Sequence, residues 1–309
     1  MDQFLQTLKD GLAIGSLYAL VALGYTMVYG ILKFINFAHS DVVVLGAWIS
    51  LLLADALTKA LGLTGTPPWW LGLLVLLGAM ICCGLIGFAI ERLAYKPLRS
   101  APRLNVLITA IGVSLFLQNS GQLPAVFGTR PRSIVPLLPD QVLASLGRVE
   151  LRLLDVVGLS TALCLMVALD WLVFRTKLGR AMRAVSHNTV TASLMGVPVN
   201  AVISFTFVLG SMLAAAGGFL WAVKYSQLSQ PADTSWVLLG LKAFVAAVVG
   251  GIGNVRGAML GGLTIGMLEM YGRAYGNASL VDVYVFGLLI LVLLFKPGGI
   301  LGKAVVEKV

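Results

Sequence analysis

Two stretches of the chain place polar side chains where their surroundings are apolar. ILKFINFAHSDVVV (residues 31–44) carries Asn36, His39, Ser40 and Asp41, and AVVGGIGNVRGAMLGG (residues 247–262) carries the closely spaced Gly250, Gly251 and Gly253. Exposed backbone at membrane depth persists only where protein or a water-filled cavity satisfies it, and discontinuous helices in the two halves of a chain point to a transport pathway. A half-helix amino terminus at 36–41 offers N–H groups that suit a carboxylate, while Asp41 would compete for them as a cap. His39 reads either as a proton-sensitive gate or as a hydrogen-bonded packing residue. Lys242 and Glu269 are the charges deepest in apolar runs. Each lies about 9 Å below its outer interface, counted from Trp236 and Tyr275 at 1.5 Å per residue. Antiparallel neighbours at equal depth pair as a structural salt bridge; the alternative is a Lys242 that snorkels to the surface.

No catalytic chemistry is legible. The chain has neither a phosphate-binding Walker A sequence nor a hydrolase elbow, and LGK at 301–303 lacks the upstream glycine and the following Ser or Thr. Any ATP must be hydrolysed on another chain. Cys82, Cys83 and Cys164 sit in apolar stretches with no spacing or nearby His that suggests a metal site or a disulfide framework.

GRAMRAVSHNTVTASLMGVP (residues 179–198) contains a complete small helix. Asn188 is its N-cap, residues 189–195 form about two turns, Gly196 suits the left-handed C′ position, and Pro198 prevents continuation. So short a helix needs something to dock on. Val190 and Leu194 give it one apolar face beside Arg180 and Arg183. A cytoplasmic protein partner and an anionic lipid surface both fit these ingredients.

These features must be positioned by helices in lipid. Of 309 residues, 59% are hydrophobic and only 11% charged, against about 25% charged in soluble domains. Nine apolar runs, at 12–31, 42–57, 69–89, 106–127, 156–174, 199–223, 236–251, 258–275 and 283–295, span or nearly span a bilayer at roughly 20 residues per crossing. The expected fold is an all-α polytopic membrane protein of about eight or nine segments, some broken or re-entrant, forming one domain over 1–309. The net charge of +9 sits in short loops, so it reads as topology signal and lipid contact and not as nucleic-acid binding. The basic stretches 91–103 and 174–183 belong on the cytoplasmic side, with 128–152 and 225–235 outside. Gly253 to Arg256 and the tail with Lys296, Lys303 and Lys308 fall inside. The same parity puts the amino terminus outside unless an early run is re-entrant. Residues 1–30 lack the small-residue cleavage site of a signal peptide. Small residues Gly84, Gly87, Gly217, Gly218, Gly257, Gly261 and Gly262 suit close helix packing.

From end to end the chain resembles the branched-chain amino-acid ABC permeases of the LivH type. Three segments carry the resemblance: GSLYALVALGYTMVYGILKFINFAHSD (15–41), the GRAMRA loop with its helix, and KAFVAAVVGGIGNVRGAMLGG (242–262) with the tail LLILVLLFKPGGILG (288–302). The resemblance implies an importer permease of the bacterial inner membrane. Its partners would be a related second permease subunit, two ATPase subunits that hold ATP and Mg, and an extracytoplasmic substrate-binding protein. No cofactor would reside on this chain. The loop within 175–199 then becomes a coupling helix seated in an ATPase subunit. Permeases for amides or urea, and secondary transporters or channels, share much of this composition. Family members typically read N-F-A-H-G-[DE] in the first break, whereas Ser40 follows His39 here; a left-handed backbone would cost more with Ser, and Ser40 is instead a candidate cap for a helix starting at Asp41 or Val42.

Overall fold

A computed structural model of the chain describes residues 2–302 apart from 64, 66, 100, 140, 147 and 148. Lys303 and Lys308 of the tail lie outside the described residues. Each of the nine apolar runs is a helix: α1 (Asp2–Leu32), α2 (His39–Ala60), α3 (Trp69–Ile90), α4 (Arg103–Gly121), α5 (Leu153–Arg175), α8 (Val199–Tyr225), α9 (Thr234–Gly250), α10 (Val255–Tyr275) and α11 (Val281–Phe295). Two short helices, α6 (Lys177–His187) and α7 (Thr189–Leu194), join α5 to α8. Among the described residues, seven of the long helical segments are apolar and long enough to cross a membrane, counting α11 together with the Ala278–Leu280 turn before it. The other two are α9, at 17 residues, and α10, which carries Arg256, Glu269 and Arg273.

Helix α1 is the centre of the bundle. It is apolar all round and buried along most of its length, as expected of a helix with no solvated face. Lipid offers no hydrophobic drive for helix association, so close contact rests on small residues. Gly15 of α1 faces Gly262, Leu263 and Gly266 of α10, and a side chain on Gly262 would run into the backbone of Ala19. The second seam joins α8 to α2 and α3: Gly46 lies on Ala215, Gly218 on the carbonyl of Val43, and Gly87 on Ser211. Gly84 and Gly217 face Met212 and Val21, while Gly257 and Gly261 meet Gly250 and Ala246 across the α9–α10 hairpin. Helices α4, α5 and α11 form the periphery, where Phe116, Trp171 and Leu294 stand exposed as lipid-facing residues do.

The sidedness of the first helix follows from its contacts. Lys9 Nζ lies 2.8 Å from Asp155 at the start of α5, and Lys224 at the end of α8 holds the other oxygen of the same carboxylate at 2.8 Å. At the opposite end, Ser186 of α6 donates to the carbonyl of Gly30 at 2.6 Å. The amino terminus of α1 therefore shares a face with the 122–152 connection, and its carboxy terminus shares one with the basic α5–α6 junction. With that junction inside by the positive-inside rule, the amino terminus is outside, and no early run needs to be removed from the count. The outer face also carries two small antiparallel ribbons, β1 (Arg132–Ser133) with β4 (Gln227–Leu228), and β2 (Val142–Leu146) with β3 (Val149–Arg152).

Helix limits differ from the apolar runs where polar residues continue a helix or apolar ones leave it. Helix α1 starts at Asp2 because Lys9 and Asp10 project at the outer face, where Lys9 finds Asp155. Helix α4 stops at Gly121, and Phe127 beyond it turns back to stack on Trp48 at 5.2 Å.

Candidate functional site

The first polar stretch is a break at membrane depth. Helix α1 ends at Leu32, Lys33 takes a left-handed φ of 57°, and α2 begins at His39. The His39 Nε2 atom is 3.2 Å from the carbonyl oxygen of Val21, and its ring lies edge-on to Tyr25 at 4.6 Å, against Gly24. Val21 is about 16 Å from the end of α1 at 1.5 Å per residue. The 33–38 segment thus climbs back into the bundle, and α2 starts near mid-depth.

Asn36, His39 and Asp41 are all buried in this break. Asn36 Oδ1 accepts a hydrogen bond from the Tyr95 hydroxyl at 2.6 Å, and Asp41 Oδ1 accepts one from Gln118 of α4 at 2.8 Å. The other Asp41 oxygen, Oδ2, is buried without a hydrogen-bond partner among the described residues. Ser40 corrects the expected cap. It lies inside the first turn of a helix that begins at His39, its hydroxyl donates back to the Phe37 carbonyl at 3.1 Å, and its Cβ fits against Gly240. Its backbone is right-handed, so the anticipated cost of replacing glycine does not arise.

The glycines of the second stretch sit at another level. Gly251 (φ 112°) and Gly253 (φ 92°) form the reverse turn between α9 and α10, and Gly253 approaches Gly30 near the inner end of α1, well away from Val21. The tail closes over this turn. Ile300 N–H donates to the Val249 carbonyl at 2.8 Å, Leu301 N–H to that of Gly250 at 3.0 Å, and Asn254 Nδ2 to the Leu301 carbonyl at 2.8 Å. Asn254 also caps α10 through the Arg256 and Gly257 N–H groups. A Cβ at Gly250 would meet the Gly257 backbone, and one at Gly251 would meet Gly302. The positions 250, 251 and 253 thus serve a tight turn clasped by the chain's own tail, and the two breaks do not converge on one site.

The small cytoplasmic helix forms as its sequence dictates. Asn188 Oδ1 accepts from Thr191 N–H at 2.9 Å, Gly196 is left-handed at φ 78°, and α8 follows Pro198. Val190, Leu194 and Met195 are 69%, 82% and 80% exposed, an apolar tip with no covering element among the described residues. Arg180, in the first turn of α6, is also exposed. Arg183 is exposed as well, but its guanidinium is engaged within the fold: it donates to the Val173 carbonyl and lies over the Phe174 ring, near which Arg256 also sits. Arg256 in turn holds Asp170 at 2.8 Å. Thr176 caps α6, and Gly179 lies against the Leu172 and Val173 carbonyls with no room for a side chain. The α6–α7 unit is thereby fastened to α5 and, through Ser186, to α1, and it packs against α8.

Lys242 and Glu269 are brought together, with Lys242 Nζ 3.2 Å from Glu269 Oε1. The pair belongs to a larger cluster. Glu269 also accepts from the Tyr18 hydroxyl at 2.6 Å and pairs with Arg273 at 2.5 Å, and Lys242 reaches Asp282 at 2.8 Å. The cluster ties α1, α9, α10 and α11 together beneath an outward cleft of about 510 Å³. Both central side chains are nearly fully buried, as intramembrane charges with partners are.

Sequence reasoning missed Glu91. This carboxylate is 0% exposed, pairs with Arg99, and accepts from the Ser204 hydroxyl at 2.6 Å. Its location among the basic residues of 91–103 made it look like part of a surface stretch. The available signal was its spacing from Arg99, two turns on along a helical continuation of α3. Among the described residues no group of three or more His, Cys, Asp or Glu is arranged to hold a metal ion.

An antiparallel bundle of long apolar helices, broken at mid-depth and carrying an apolar-tipped helix on its basic face, has the architecture of a polytopic membrane permease. Residues 7–294 match the family model of the branched-chain amino acid transport system permease component, and the chain belongs to that family. It is 41% identical over 309 residues to the high-affinity branched-chain amino acid transport system permease protein BraD of Pseudomonas aeruginosa, covering 99% of this chain and 98% of the relative. LivH of Escherichia coli, a permease of the same description, is 40% identical with the same coverage. A probable branched-chain amino acid transport permease of Methanocaldococcus jannaschii is 30% identical, over 96% of this chain and 91% of the relative.

Proposed function

We propose that this chain forms one wall of the translocation pathway of an ATP-driven importer for branched-chain or other neutral amino acids. An extracytoplasmic binding protein delivers the substrate, a related second permease subunit forms the other wall, and two ATPase subunits hydrolyse ATP with Mg on separate chains. Full-length similarity to permeases named for branched-chain amino acids supports the substrate class.

The observation that carries the coupling is the α7 tip. Three large apolar side chains stand exposed on a capped helix that is itself anchored to the transmembrane core. Such a knob suits a groove on a cytoplasmic partner, and rigid attachment lets movement of that partner be passed inward as a shear-type displacement. Leu194→Asp removes an anchor of the kind that contributes 2 kcal/mol or more, so ATPase-subunit affinity falls roughly 30-fold in pull-down titrations while membrane insertion is kept. Unchanged association in both Leu194→Asp and Val190→Asp would refute docking at α7.

A further inference from the structure

The fully buried Glu91 has no role in the reading above, and it sits in an unusual segment. The end of α3 continues as a π-helical turn, Glu91–Tyr95, and then a 3₁₀ turn, Lys96–Leu98. Single π turns inside helices are frequent at functional sites and arrange side chains that an α-helix would disperse. This one directs two polar groups to different places. Glu91 meets Arg99 and Ser204, and Arg99 also donates to Asn200 Oδ1 at 2.5 Å. Asn200 and Ser204 lie in the first turns of α8, immediately after the α7 helix and Pro198. Tyr95, four residues after Glu91, points to the mid-depth break and donates its hydroxyl to Asn36 at 2.6 Å, its ring held between Phe34 and Phe207, each at 5.4 Å. Asn36 in turn accepts at its carbonyl from His39 N–H, the first residue of α2, at 3.1 Å.

Two sets of polar contacts, Asn200–Arg99–Glu91 with Ser204 and Tyr95–Asn36–His39, are therefore joined by the backbone of the π turn and link the base of the docking helix to the start of the broken helix. Stability alone accounts poorly for it. A buried ion pair adds little net stability over apolar packing of similar volume, and ionisable groups in membrane segments mark functional positions by default.

We infer that Glu91 and Tyr95 are positioning residues that couple displacement of the α6–α7 unit to the Asn36–Asp41 break. When α8 is pushed at its amino-terminal turns, Arg99 and Glu91 carry the π turn with it, and Tyr95 moves Asn36 and the first turn of α2. The inference rests on the importer reading, so its test separates the two. The complete transporter is reconstituted in proteoliposomes with its binding protein and leucine, and both ATP hydrolysed and leucine taken up are measured. Tyr95→Phe removes one hydroxyl, and Glu91→Gln keeps a group able to bond Ser204. Each is expected to leave assembly and ATP hydrolysis in place while uptake per ATP falls about 5–10-fold, the worth of one buried hydrogen bond. Asn36→Ala is expected to lower uptake per ATP alike, and combining it with Tyr95→Phe adds no further loss. Hydrolysis and uptake falling in proportion, or multiplicative losses in the double variant, would overturn the relay. Failure of the unsubstituted complex to take up leucine with ATP would instead overturn the importer reading.

Discussion

Removing Glu269 should damage this protein more than removing Lys242, although the two form one ion pair. Glu269 has three partners, the Tyr18 hydroxyl at 2.6 Å, Arg273 at 2.5 Å and Lys242 at 3.2 Å, and is 2% exposed. Lys242 has two, Glu269 and Asp282, the latter half-exposed. In Glu269→Ala the buried Tyr18 hydroxyl loses its acceptor and Lys242 keeps only Asp282, so the cost lies near the 3–5 kcal/mol of a broken buried pair, about 4 kcal/mol. In Lys242→Met the carboxylate retains Tyr18 and Arg273, and the loss is that of one charged hydrogen bond, about 2 kcal/mol. At about 2 °C per kcal/mol for a large chain, the expected decreases in melting temperature are roughly 8 °C and 4 °C. Thermal melting in detergent followed by size exclusion measures both. The charge-swapped double variant should recover little, because a lysine at 269 would face Arg273 and a glutamate at 242 would face Asp282. Neutral Lys242→Met with Glu269→Gln should recover more. Equal losses in the two single variants, or full recovery on swapping, would refute the four-helix cluster as the source of the energy.

Other elements give sharper tests of local geometry. Arg183→Ala removes a bond to the Val173 carbonyl and a stacking contact with Phe174, so it should lower thermal stability by about 2 kcal/mol without weakening ATPase-subunit affinity. Gly262→Val drives a branched side chain into the Ala19 backbone where α10 crosses α1, an overpacking cost of about 3 kcal/mol that gel filtration should report as loss of monodisperse protein. Gly251→Ala combines a left-handed backbone with a collision against Gly302; at about 1–3 kcal/mol of strain it should release the tail and expose residues 296–302 to limited proteolysis.

Sequence periodicity located every long helix because each needs an apolar run, and the α7 motif was readable because Asn188, Gly196 and Pro198 act through local backbone rules. The depth of a break is not a local property. The same polar interruption describes residues 33–38, which re-enter the bundle, and residues 250–253, which turn at its inner edge under the tail. Only the contacts with Val21 and Gly30 distinguish them. Arg183 shows the same limit: next to Arg180 in a basic loop, it points back into its own fold because α6 packs against α5. The Lys242 and Glu269 depths were legible from their distance to the helix ends, and Arg273, four residues after Glu269 on α10, was legible from spacing, but Tyr18 and Asp282 come from α1 and α11, whose relative rotation no spacing encodes.

In the proposed function this chain moves amino acids only as part of an ATP-driven assembly. Uptake of leucine into proteoliposomes tests it directly, comparing the chain alone with the chain joined by its second permease subunit, ATPase subunits and binding protein. Uptake is expected only when all of these are present together with ATP and Mg. Uptake by this chain alone, driven by an ion gradient, would contradict it.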